Sequence, residues 1–212
     1  MSELAGESPQ RRLRILLAED QSMVREALAA LLGLEPDMEV VAQAARGDEV
    51  LAAARAHTVD VALLDIEMPG MTGIEAAARL HRELPDVKIV ILTTFGRPGY
   101  LRSAMESGAD AFLVKDAPAA QLATAVRKVL AGERVIDPTL AAAALAEGAN
   151  PLTERERDVL RAAQDGATNA ELATALCLSQ GTVRNYLSMA IQKLAARNRA
   201  EAVRIAREKG WL

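Results

Sequence analysis

A chain of 212 residues, 50% apolar and 25% charged, can bury a core in one large or two ordinary domains, which excludes the disordered and fibrous classes. No apolar run nears the roughly 20 residues of a membrane span, and the opening MSELAGESPQRR has no apolar signal block, so a cytoplasmic protein is expected. One cysteine, Cys177, and two histidines, His57 and His81, leave no internal disulfide and no zinc-ligand spacing. Residues 151–212 hold ten Lys/Arg against seven Asp/Glu, so the net charge of -4 divides into -7 before residue 151 and +3 after it. Two domains with different partners are indicated, the basic one suited to nucleic acid.

In chain order, LRILLA (13–18), MEVVAQ (38–43), DVALL (60–64), VKIVIL (87–92) and DAFLV (110–114) read as strands. Each precedes a helix-period segment, roughly 21–33, 47–56, 72–83, 97–107 and 118–131. Five such units predict a doubly wound parallel sheet, α/β in class, with strand order 2-1-3-4-5. The pattern stops after Glu133, and PTLAAAALAEGANP (138–151) reads as a linker with one or two helical turns. The expected limits are 12–132 for the first domain, 133–150 for the linker and 151–212 for the second domain.

In that strand order, ligands gather where the order reverses, beyond the carboxyl ends of the first and third strands. The first strand ends in Glu19-Asp20 and the third in Asp65, so three carboxylates converge there. Such crowding calls for a hard divalent cation, Mg²⁺ first among them. The fourth strand brings Thr93-Thr94 and the fifth Lys115 to the same crevice. An aspartate beside a cation, a metal site and a hydroxyl suits a carboxylate nucleophile that accepts a phosphoryl group, and Asp65 is the candidate.

Glu19-Asp20, Asp65 with Met68-Pro69-Gly70, Thr93, and Phe112-Leu-Val-Lys115-Asp116 resemble the CheY-like receiver domain of two-component response regulators over about residues 13–131. The resemblance implies an aspartyl phosphate on Asp65. It also implies Mg²⁺ on Asp20, Asp65 and the backbone carbonyl of Glu67, with Glu19 acting through water. Lys115 would pair with the phosphate, Thr93 would move to bind it, and Phe112 stands at the position of an aromatic switch residue. Many receivers follow the lysine with proline where Asp116 stands here, so no cis peptide is expected at that bond. Pro118 is expected to open the fifth helix.

The remaining chain shows helix starts but no strand pattern. Thr153, Thr168 and Asn198 each precede a glutamate by three residues, and Ser179 is a further cap, predicting helices near 154–164, 169–176, 180–195 and 199–209. NAELATALCLSQGTVRNYL has helix-turn-helix spacing, with Cys177 expected as a small buried thiol at the end of its first helix. On the second helix Val183, Leu187, Ile191 and Leu194 form the inner stripe. Gly181, Asn185, Ser188, Met189 and Gln192 lie opposite, with Arg184 and Lys193 at the flanks. An amide for adenine, an arginine for guanine and a lysine for phosphate make a plausible major-groove face.

Residues 151–212 resemble the LuxR-type DNA-binding domain, which implies base-facing roles for Thr182, Arg184, Asn185, Tyr186 and Ser188. Relatives often carry lysine where Ser188 stands. The two resemblances together identify a NarL/FixJ-type response regulator, not an enzyme, with wording most similar to the DesR group. That implies a partner sensor histidine kinase, a homodimer formed on phosphorylation, promoter DNA as target, and membrane-lipid desaturase genes under control. Two alternatives stand beside it. One is an Mg²⁺-dependent phosphohydrolase with an Asp nucleophile, although haloacid dehalogenase-like enzymes place theirs after the first strand in a DxD pattern. The other is a DNA-binding regulator that works without phosphorylation.

Overall fold

The structure, a computed structural model, describes residues 11–94, 97–115, 119–147 and 150–212. Its elements run β1 (Leu13–Ala18), α1 (Ser22–Gly33), β2 (Met38–Ala44), a short 3₁₀ turn (Gly47–Glu49), α2 (Val50–Ala56), β3 (Val61–Asp65), α3 (Gly73–Glu83), β4 (Lys88–Thr93), α4 (Pro98–Glu106), β5 (Ala111–Val114) and α5 (Ala119–Leu130). After these come β6 (Val135–Ile136), α6 (Pro138–Glu147), α7 (Glu154–Ala162), α8 (Asn169–Ala175), α9 (Gln180–Lys193) and α10 (Arg199–Glu208). Contacts gather the chain into two compact units, one holding the sheet and extending to Pro138, the other holding 139–212 together with 97–103.

All strands pair in parallel in the order β2-β1-β3-β4-β5-β6, so the expected class and the 2-1-3-4-5 order are present. Among the described residues the sheet has six strands rather than five. Val135 and Ile136 pair with Ala111 and Phe112, inside the stretch read as linker, and two residues are too few to show any alternation in sequence. The linker helix is also longer than expected. Five of its ten residues are alanine, a strong helix former that leaves no apolar stripe to announce the helix.

The sheet is buried on both faces because alternate residues of each strand meet helices on opposite sides. Ile15, Leu17, Val61, Leu63, Val90 and Leu92 pack with Leu32 of α1 and with Leu122, Val126 and Val129 of α5. Leu16, Ala62, Leu64, Ile89 and Ile91 are fully covered on the other face, where α2 and α3 lie against β1, β2, β3 and β4. These runs are therefore continuously apolar, and the first polar residue after each marks where the strand leaves the core.

The second unit gathers α7 to α10 around Val159, Leu160, Leu172, Val183, Leu187, Ala190, Ala202 and Ala206. Thr153 and Thr168 form reciprocal capping boxes with Glu156 and Glu171, and the Ser179 and Asn198 side chains accept from the N–H groups of Thr182 and Glu201. The Glu201 carboxylate reaches past its own cap to the Arg197 N–H at 2.7 Å, so that end is a variant of the expected box. Cys177 corrects the expectation of a buried thiol, since it is exposed. Its φ of +54° ends α8 in a left-handed turn that swings the side chain outward. Asp116 and Pro118 lie outside the described residues.

Candidate functional site

At the carboxyl ends of the strands, Asp65 closes β3 beside Leu92 of β4, and Thr93 closes β4 beside Val114 of β5. Asp65 and Thr93 are buried, 5% and 4% exposed, because they continue the core's run to its rim. Glu19 follows β1 and is buried at 1%, whereas Asp20 is exposed. The carboxylate oxygens of Glu19, Asp20 and Asp65 lie within 4.8 Å of one another. A small cavity there is lined by Asp20, Gln21, Asp65, Glu67, Thr93 and Thr94.

Lys115, just past β5, holds this cluster together. Its Nζ lies 2.5 Å from Glu19 Oε2 and 2.9 Å from Asp65 Oδ2. Asp65 Oδ1 accepts from the Ile66 N–H at 2.8 Å, and the Lys115 backbone N–H donates to the Thr93 carbonyl, which ties the lysine to the end of β4. Burial pushes the Asp65 carboxyl above its ordinary value, and the Lys115 hydrogen bond offsets only part of that push. Burial alone would pull the Lys115 ammonium down, but Glu19 and then Asp65 outweigh it and raise the ammonium above its usual range. Arg25 donates to the Glu19 backbone carbonyl at 2.6 Å and so fixes that residue from the α1 side.

The turn after Asp65 is built around close approach. An added Cβ on Gly73 would lie 1.9 Å from the Asp65 carbonyl oxygen, so the α3 start comes this near only because residue 73 is glycine. The Gly73 N–H then bonds the Ile66 carbonyl at 3.0 Å, and Thr72 with Glu75 caps α3 in a reciprocal box. The Thr72-to-Glu75 spacing is the signal that carries this cap in the sequence. The charged donors gathered there are hard oxygens, and the three carboxylates Glu19, Asp20 and Asp65 face one ammonium, Lys115, which pairs with Glu19 and Asp65. That chemistry fits a Mg²⁺-type cation at the Glu19, Asp20 and Asp65 cluster better than zinc. Phe112 is fully buried within β5 and does not line the cavity.

In the helical unit, Ser179 caps α9 and Val183, Leu187, Ala190 and Leu194 are buried, while Gly181, Arg184, Asn185, Ser188, Met189 and Gln192 are exposed. The expected inner and outer faces are therefore present, with Ala190 added to the inner one and Ile191 half-buried. Thr182 is half-buried, its hydroxyl 2.8 Å from that of Ser179. Tyr186 packs in part against the core. Lys193 is engaged within the unit, its Nζ 2.7 Å from Oε2 of Glu156, a residue only 4% exposed. The same Glu156 oxygen accepts from the Thr153 N–H at 2.7 Å, so one carboxylate both caps α7 and ties down the end of α9. Glu156 was legible as a cap, but its partner 37 residues away was not.

Residues 15–127 match the family described as response regulator receiver domain, and residues 150–206 match bacterial regulatory proteins, luxR family. The chain is 46% identical over 201 residues to the transcriptional regulatory protein DesR of Bacillus subtilis, covering 94% of this chain and 98% of that protein. It is 47% identical over 200 residues to the uncharacterized transcriptional regulatory protein YvfU of the same organism, covering 94% of this chain and 100% of that one. A crystal structure of the response regulator ChrA of a heme-sensing two-component system matches with TM-score 0.56 and 31% identity, covering 95% of this chain and 99% of that one. No described helix is long and apolar enough to cross a membrane. With both halves matched and relatives covered almost end to end, the chain belongs to the two-component response regulators of the NarL/FixJ type, a receiver domain joined to a LuxR-type DNA-binding domain.

Proposed function

We propose that a partner histidine kinase phosphorylates this cytoplasmic regulator on Asp65, and that the phosphorylated form dimerises and binds promoter DNA through α9. The observation that carries the reading is the buried Asp65 at the end of β3, with the Lys115 ammonium at 2.9 Å and two further carboxylates beside it. A carboxylate oxygen of Asp65 attacks the phosphorus of a phosphohistidine, the P–N bond breaks, and its electron pair returns to the imidazole. Lys115 leaves its present partner on Asp65 to meet the incoming phosphoryl oxygens. Asp20, Asp65 and the Glu67 carbonyl would hold Mg²⁺, with Glu19 helping through water, and the ion when bound would supply neutralising charge to the transferring oxygens.

Thr93 moves toward the phosphoryl group and Phe112 follows as the switch. Both are buried on adjacent strands, Thr93 opposite Val114 and Phe112 opposite Ile91, two positions apart in register and so on one face of the sheet, which supports such coupling. Base contacts fall to Thr182, Arg184, Asn185 and Ser188, with Tyr186 buttressing from its half-buried place. The domain limits that go with this reading are 12–132 and 151–212, with β6 carrying the receiver's sheet into the 133–150 linker. Resemblance to the DesR group makes membrane-lipid desaturase promoters the first to test.

The test is to incubate the protein with a small acyl phosphate and Mg²⁺ and to locate the label by mass spectrometry. Label at Asp65 is expected. It should be absent in Asp65→Asn, and in Asp20→Asn it should require more Mg²⁺, since a ligand charge is lost. Undiminished labelling of Asp65→Asn refutes the acceptor, and an unlabelled protein that still binds its promoter makes the regulator phosphorylation-independent.

A further inference from the structure

Among the described residues from α7 to α10, Met189 is the one large apolar residue left exposed, at 48%. It stands in the middle of the polar face of α9. Asn185 lies one turn before it, Ser188 beside it and Gln192 just under a turn after it, all exposed, while Val183, Leu187, Ala190 and Leu194 hold the opposite face in the core. Met189 is not among the residues that pack the core beneath the helix. Half of its side chain faces water, where its apolar surface is unfavourable.

A major groove presents one apolar group to a reading helix, the 5-methyl of thymine. We propose that Met189 is a specificity-determining residue that packs on a thymine methyl in the groove read by α9. The inference rests on α9 being the DNA-reading helix, as proposed above. The rise of a helix places Met189 about 6 Å beyond Asn185, and base pairs stack at about 3.4 Å, so the thymine lies one or two steps from the pair that Asn185 faces. An unbranched thioether reaches either step by changing rotamers. Such a contact selects sequence without neutralising a phosphate, so it alters base preference and leaves the salt dependence as it was.

The experiment uses the full chain treated with a small acyl phosphate and Mg²⁺. Wild type and Met189→Ala are each used to enrich duplexes from a randomised library, and every thymine of the best wild-type duplex is then replaced singly by deoxyuridine, which lacks only the methyl. One thymine in each half-site is expected to cost the wild type roughly fourfold in affinity on replacement, the worth of one buried methyl group. Met189→Ala is expected to bind thymine and uracil duplexes equally, with an unchanged salt slope and an unchanged thermal midpoint. If no thymine is sensitive in the wild type, or if Met189→Ala keeps the fourfold difference, the inference is overturned while α9 remains the reading helix. If the wild type enriches no sequence at all, the DNA-reading role of α9 falls, and this inference falls with it.

Discussion

Lys115 stands between two carboxylates that would otherwise face each other with little water, Glu19 at 1% exposure and Asp65 at 5%. Its ammonium therefore has two effects of opposite sign: it stabilises the metal-free crevice and competes with any cation for the same oxygens. Lys115→Met is expected to lower the thermal midpoint without Mg²⁺ and to increase the rise produced by adding Mg²⁺. Calorimetry across a Mg²⁺ titration checks it, and a rise no larger than in wild type would mean that Lys115 and the cation occupy separate places. Glu19, Asp20, Asp65, Thr93 and Lys115 were legible in the sequence because each is the polar residue that follows an apolar strand, and topology brings strand ends together. Gly73 was not, since its role is the absence of a Cβ beside the Asp65 carbonyl, a demand that appears only when the turn is folded.

Elements were legible in proportion to the amplitude of their apolar pattern. The strands β1 to β5 and the helices α7 to α10 have continuous or periodic runs and capped starts, whereas β6 has two residues and α6 has alanine on every side. The helical wheel fixed which face of α9 is inside, but a wheel says nothing of partners, so the tie from Lys193 to Glu156 was hidden in it. Burial would raise the Glu156 carboxyl, yet Lys193 and the Thr153 N–H together hold it below the usual carboxylate range. A carboxyl depressed by folding contributes stability that is present above its unfolded value, near 4.3 for glutamate, and is lost as pH falls through the folded value. The thermal midpoint of the α7–α10 unit should be level above about pH 5 and decline below it. Glu156→Gln should flatten that decline, and Lys193→Met should cost roughly 1–3 kcal/mol at neutral pH by leaving a buried carboxylate without its cation. If Lys193→Met leaves stability intact and only lowers the salt slope of DNA binding, the lysine belongs to phosphate contact instead.

On the scale of the whole molecule, charge separates the chain into residues 1–150 at -7 and residues 151–212 at +3, so the basic excess that attracts DNA lies with the segment that carries α9. One helix-turn-helix reads few base pairs, and a two-fold dimer sets two such helices in successive major grooves about 10 base pairs apart. Inserting about 5 base pairs between half-sites turns one groove to the far side of the duplex, so affinity of the phosphorylated protein should fall toward that for a single half-site. Gel-shift titration of the two spacings decides it, and equal affinity would rule out the two-helix geometry. The two-residue strand β6 has a bearing on solubility as well. It covers Ala111 and Phe112 at the outer margin of β5, where bare N–H and C=O groups would otherwise invite another chain to add a strand. A fragment cut at residue 132 loses that cover and should self-associate as its concentration rises, while one ending after Asp137 stays dispersed, a difference that light scattering would register. On that outcome Val135 and Ile136 are a stop against edge-to-edge growth, and a receiver domain transplanted onto another output should carry them along to remain in solution.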